Sequence, residues 1–152
     1  MKTIIQKISI LCIILLSLSA VHAQDTNKLN GTWRGPWTDP KGILFFAEMH
    51  IKVAPDGTLA GDIHWTLKKL PRENEQTKIG LTATEFIRGR FDPQCRVFSF
   101  EGYRKDDPNS IIALDKYRLV LADNNSVMGG VTENLGNWQG LFSLVLDQAS
   151  KE

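Results

Sequence analysis

Cysteine is nearly missing from this 152-residue chain, which has only Cys12 and Cys95. Cys12 falls in an N-terminal apolar run, so the remainder carries one thiol. That excludes an intrachain disulfide and any cysteine-built metal cluster, and the lone thiol is expected to be a partly buried, unreactive side chain. An excess of either charge is missing too. Lys and Arg number 18 against 17 Asp and Glu, and a surface so close to neutral lacks the basic stripe that nucleic acid requires. The glycines are scattered, and none forms a phosphate-binding loop. There is no defensible Ser-His-Asp ordering, no repeat, no low-complexity tail and no segment with a convincing helical period. No motif implies a cofactor.

What is present begins with a leader. Lys2 and Lys7 precede an apolar run from Ile8 to Leu18, and Val21-His22-Ala23 offers small residues where a signal peptidase reads. The apolar run is shorter than the ~20 residues of a spanning helix. The pattern predicts a signal peptide over residues 1–23, cleavage after Ala23, and export to a periplasm or the extracellular space with no membrane span afterwards. The remaining Gln24 to Glu152, 129 residues, is one domain large enough for a real core. Without Lys2 and Lys7 it carries sixteen basic residues against seventeen acidic ones. Asn30-Gly31-Thr32 and Asn124-Asn125-Ser126 both satisfy the glycosylation sequon.

The most informative stretch is Phe45 to Leu67, two alternating runs joined at Ala54-Pro55-Asp56-Gly57-Thr58. Pro55 presets φ for the second position of a type I turn, Asp56 suits the third, and Gly57 accepts the left-handed conformation that closes a three-residue hairpin loop. Ala54 then pairs with Thr58. Counting outward, Val53 faces Leu59, Ile51 Gly61, Met49 Ile63, Ala47 Trp65 and Phe45 Leu67, all apolar or small. The opposite face sets Lys52 by Ala60, His50 by Asp62, Glu48 by His64 and Phe46 by Thr66. A slip of one residue would mix the two sets.

Further alternating segments follow at Gly31–Trp37, Gly80–Phe91, Val97–Arg104, Ser110–Ala122, Val127–Glu133 and Trp138–Asp147, with the polar stretch Pro71 to Ile79 read as a loop. Eight antiparallel strands in sequence predict an all-β, eight-stranded up-and-down barrel. Its connections alternate between two ends. Those at Pro55–Gly57, Pro93–Cys95 and Asp123–Asn125 read as tight three-residue turns at one end, and three of the four at the other end are longer. One closed and one looped end suit a ligand-holding barrel, whereas a barrel filled by its own side chains would hold nothing.

Gly31-Thr32-Trp33 resembles the Gly-x-Trp of the first strand in the calycin superfamily, which includes lipocalins and avidin-like barrels. Asp56 to Gly61 and Gly89 to Asp92 are similar to avidin-type hairpin segments in a general way. The resemblance implies a lipocalin-like barrel whose Trp33 helps close the narrow end, and the alternation of connections sets that tryptophan at the tight-turn end.

Several residues could carry chemistry. His50, His64, Glu48 and Asp62 share one hairpin face and could hold zinc with water completing the site, although such cross-strand acid–base pairs ordinarily just stabilise a sheet; no metal is assigned. Glu85 is the one charge in the alternating set Leu81, Ala83, Glu85, Ile87, Gly89, Phe91. If the Pro93 turn mirrors the Pro55 turn, Glu85 faces Tyr103 and Ile87 faces Glu101, and an inward carboxylate beside a phenol could serve as acid and base. The other face, with Phe86, Phe98 and Phe100 in the core, is the alternative. Trp33, Trp37, Trp65 and Trp138 could line a pocket or simply fill the core. A slight excess of basic residues at the looped end would attract an anionic head group weakly. The expected function is binding of a small, largely apolar or amphiphilic ligand by Phe45, Met49, Trp65, Glu85 and Tyr103. A protein-interaction module using residues 71–79, or a small enzyme using Glu85 with Tyr103 or Glu101, are the alternatives. Oligomeric state is not legible.

Overall fold

The computed structural model describes residues 26–147; residues 1–23, expected from sequence to be a signal peptide, lie outside them. The strands are β1 (Gly31–Thr38), β2 (Leu44–Val53), β3 (Thr58–Lys69), β4 (Thr82–Asp92), β5 (Val97–Asp106), β6 (Lys116–Leu121), β7 (Val127–Asn134) and β8 (Asn137–Leu146). Each pairs antiparallel with its neighbour and β8 closes onto β1, giving an up-and-down barrel. Short 3₁₀ turns occur at Thr26–Leu29 and Glu73–Lys78, the second inside the stretch expected to be plain loop. No helix among the described residues is long and apolar enough to cross a membrane.

The β2–β3 register is the one that turn chemistry and alternation dictate, from Val53 opposite Leu59 to Phe45 opposite Leu67. Ala54 donates its N–H to the Thr58 carbonyl at 2.8 Å, and Gly57 takes φ 84°. Its apolar face points inward, where Ala47, Met49, Val53, Leu59, Ile63 and Leu67 are buried. Each large side chain buried this way contributes about 1.5–3 kcal/mol. Closing eight strands around so small a core requires sharp coiling, and inward-facing glycines supply the room. A Cβ on Gly35, Gly61, Gly89 or Gly130 would sit within 2.0–2.3 Å of a neighbouring strand's carbonyl oxygen.

At the tight-turn end Trp33 is fully buried, and its Nε1–H donates to the Leu29 carbonyl at 3.0 Å. The 3₁₀ turn that carries Leu29 thereby plugs the barrel. Two turns at this end depart from expectation. Asp92 pairs with Val97, and Ala122 donates its N–H to the Val127 carbonyl as Ala54 does to that of Thr58, so their loops hold one residue more than the Pro55 turn. Arg96 and Asn125, both at φ 57°, take the left-handed positions, where a three-residue reading would have forced Cys95 into one of them. The Arg96 guanidinium binds the Ala122 carbonyl and the Asn125 side chain, tying the two turns together. Cys95 itself is exposed, not partly buried. The Asp92 carboxylate beside it pushes its thiol pKa up.

That extra residue corrects the β4–β5 pairing. Gly89 faces Phe100 and Arg88 faces Glu101; a bulge between Phe86 and Ile87 then sets Glu85 opposite Lys105, not Tyr103. Tyr103 is the unpaired bulge residue. Both inward sets survive together as a result: Glu85, Ile87 and Phe91 on β4, with Phe98 and Phe100 on β5. Glu101 points outward and pairs with Arg88 at 2.9 Å. The sixth strand is shorter than its alternation suggested, because residues 107–115 leave the sheet and fold toward the looped end.

Candidate functional site

The looped end opens into a cavity of about 200 Å³ lined by Trp37, Ile43, Phe45, Trp65, Glu85, Ile111, Ile112, Ala113, Asp115, Tyr117 and Asn134. Alternation along β1 to β4 aims Trp37, Phe45, Trp65 and Glu85 inward at this level. Trp37, Phe45 and Trp65 meet edge to face, with centroids 5.8 to 6.5 Å apart, and Tyr117 stacks on Phe100 at 4.6 Å. Segment 107–115 forms the remaining side. The Asp107 carboxylate accepts the N–H groups of Ile111 and Ile112 at 2.9 and 3.0 Å and pairs with Lys105 at 3.1 Å. That arrangement folds Ile111 and Ile112 over the barrel wall.

Glu85 has no solvent exposure. Its Oε2 accepts from Trp65 Nε1–H at 3.0 Å and from the Tyr117 hydroxyl at 2.5 Å, while Oε1 accepts the Asp115 backbone N–H at 3.3 Å. Burial raises the Glu85 pKa to about 7 against the lowering effect of these bonds. A second chain of bonds runs alongside. Trp37 Nε1–H donates to Thr132 Oγ1 at 2.9 Å, Thr132 bonds the Asp115 side chain, and Asn134 donates to Asp115 Oδ1 at 2.7 Å. Burial raises the Asp115 pKa as well. The Tyr117 hydroxyl is held protonated by burial and by the two carboxyls near it. Among the described residues no buried side-chain polar atom lacks a partner.

Two glycines make room for this network. A Cβ on Gly102 would fall 1.8 Å from Glu85 Oε1, and one on Gly140 would fall 2.1 Å from Thr132 Oγ1 and 2.5 Å from Trp37 Nε1.

Of the residues singled out from sequence, Phe45, Trp65 and Glu85 line the cavity. Met49 is fully buried deeper in the core and does not line it. Tyr103 stands outside, 47% exposed, with the Arg88 guanidinium over its ring. The acid–base pair of Glu85 with Tyr103 or Glu101 is therefore not formed; Tyr117 supplies the phenol. Trp138 is also outside. Among the described residues no basic side chain lines the cavity. Tyr117, Asp115, Thr132 and Asn134 were missed. The alternation Tyr117, Leu119, Leu121 was a signal for the first and Met128, Gly130, Thr132 for the third, but Asp115 depends on how the 107–115 segment lies.

The histidine cluster is outside the barrel. Asp62 Oδ2 lies 2.9 Å from His50 Nδ1 and 3.0 Å from His64 Nε2. His50 Nε2 lies 3.1 Å from Glu48, which also takes Arg34 at 2.8 Å. These are hydrogen-bond separations; His50–Asp62 is the cross-strand pair that the register predicts, whereas His64 turns to Asp62 on its own strand and Glu48 to His50 and Arg34 in place of the expected Glu48–His64 pair.

Fold and cavity define the class: a small, closed antiparallel β-barrel, plugged at one end and pocketed at the other, compatible with a calycin-like fold. Compared with known families, characterised proteins and solved structures, the chain has no match.

Proposed function

We propose that this chain is an exported, calycin-like barrel that holds a small, largely apolar ligand in the cavity at its looped end. The observation that carries this reading is the cavity itself, with aromatic and aliphatic walls and a few convergent polar groups at its base. Its volume is below the ~300–1,000 Å³ usual for ligand pockets, which restricts the guest to about single-ring size. Export rests on the leader and the cleavage site after Ala23.

Native mass spectrometry of the exported protein, purified from its own source, tests both parts. The expected result is a chain beginning at Gln24 with a small molecule attached. Ala113→Trp, which fills the mouth from an exposed wall position, should release that molecule while leaving the fold intact. Equal retention by the variant would place the ligand elsewhere, and a chain that still carries residues 1–23 would refute cleavage.

A further inference from the structure

The charged groups that line the cavity all have one sign. Glu85 and Asp115 are there, and among the described residues no Lys, Arg or His accompanies them. Lys105, the register partner of Glu85, is committed to Asp107 and to the Ile112 carbonyl. Both carboxyls are also specifically accommodated. The Glu85 carboxylate occupies the volume that a side chain on Gly102 would fill, and the Trp37–Thr132 bond that leads to Asp115 occupies the corresponding volume at Gly140. A barrel wall needing only bulk would have closed these spaces with hydrocarbon.

Around the carboxyls stand the rings of Trp37, Phe45, Trp65 and Tyr117. Three of them meet edge to face, and all four line the same cavity. Aromatic faces attract cations, most strongly where water is excluded. A carboxylate guest would instead meet two like charges in a medium of low dielectric. A wholly apolar guest would cover Asp115, which is only partly buried, and offer neither acid a counter-charge beyond its neutral hydrogen-bond partners. Resting on the lumenal reading above, we propose that the ligand is a small organic cation: an ammonium group on an apolar body, its charge set between Glu85 and Asp115 and its body against the tryptophans.

Three probes that share one skeleton test this: 2-phenylethylamine, 2-phenylethanol and phenylacetate, titrated into the exported protein at pH 8 by calorimetry and by tryptophan emission. The expected order is the amine at least about tenfold tighter than the alcohol, a step of 1.4 kcal/mol, with phenylacetate weakest. Glu85→Gln should shrink the amine-to-alcohol ratio about tenfold, and Asp115→Asn serves the same purpose if the first variant does not fold. Equal binding of amine and alcohol, or an unchanged ratio in both variants, overturns the charge selection while the lumenal reading stands. Tightest binding of phenylacetate overturns it outright. If none of the three binds a correctly folded sample, both readings fall.

Discussion

Replacing Gly102 with alanine places a methyl group where the Glu85 carboxylate lies. The new Cβ would be 1.8 Å from Oε1, 2.7 Å from Cδ and 3.0 Å from Cγ, whereas ordinary contact begins at 3.4 Å. The carboxylate must therefore swing away from the β5 backbone, and Trp65 and Tyr117, its partners at 3.0 and 2.5 Å, cannot both follow. A hydrogen bond to a charged group contributes about 1.5–3 kcal/mol, and overpacking a core costs about 1–3 kcal/mol. Alanine's smaller backbone entropy loss offsets ~0.5–1 kcal/mol of this. A net loss of about 2–4 kcal/mol is expected, measured by urea unfolding followed through tryptophan emission. The decisive comparison is the same substitution in a Glu85→Ala background. There the obstructing atoms are gone, and Gly102→Ala should be neutral within ~0.5 kcal/mol or slightly stabilising. A coupling of about 2–4 kcal/mol between the two sites is thus expected. Equal costs in both backgrounds would refute the claim that Gly102 is kept bare for the carboxylate.

Three further outcomes follow from the same geometry. Because the folded-state pKa of Glu85 is raised from 4.5 to about 7, the folded protein binds more protons than the unfolded chain between those values. Stability should then fall as pH rises through that window and level off above it. At 1.36 kcal/mol per unit the effect is roughly 3 kcal/mol, and Glu85→Gln should flatten that part of the profile in thermal melts at pH 4.5 to 8; an unchanged profile would count against the buried acid. Leu135 stands 95% exposed at φ 50°, followed by Gly136 at φ 83° in a two-residue hairpin turn. Leu135→Asn should stabilise by ~1 kcal/mol, since asparagine tolerates that conformation where leucine is strained; a destabilisation would show that the leucine makes a contact of its own. Cys95 should react fully with a thiol reagent in the folded protein, and Asp92→Asn should speed the reaction by removing the charge that disfavours the thiolate; a protected thiol would contradict its exposure.

By itself the sequence determined the β2–β3 hairpin to the residue, because Pro55-Asp56-Gly57 admits one loop length and the alternating pattern rejects a slip. It also determined the up-and-down order, the closed and looped ends, and the placement of Trp33 at the tight-turn end. Within β4 it marked Glu85 as the lone charge of one face. It did not determine which residue Glu85 would meet. Alternation is local: it sorts the side chains of one strand into two sets, but the relation between the sets of adjacent strands depends on the loop between them. One additional residue at the Pro93 turn and one bulge residue at Tyr103 were enough to send Glu101 and Tyr103 outward while Glu85 stayed inside. Tyr117 and Asp115 came to it from thirty residues along the chain, through the β5–β6 pairing and the path of residues 107–115. Only closure of the barrel brought those groups together, since β1, β4 and the β6–β7 pair share a cavity without being neighbours in sequence.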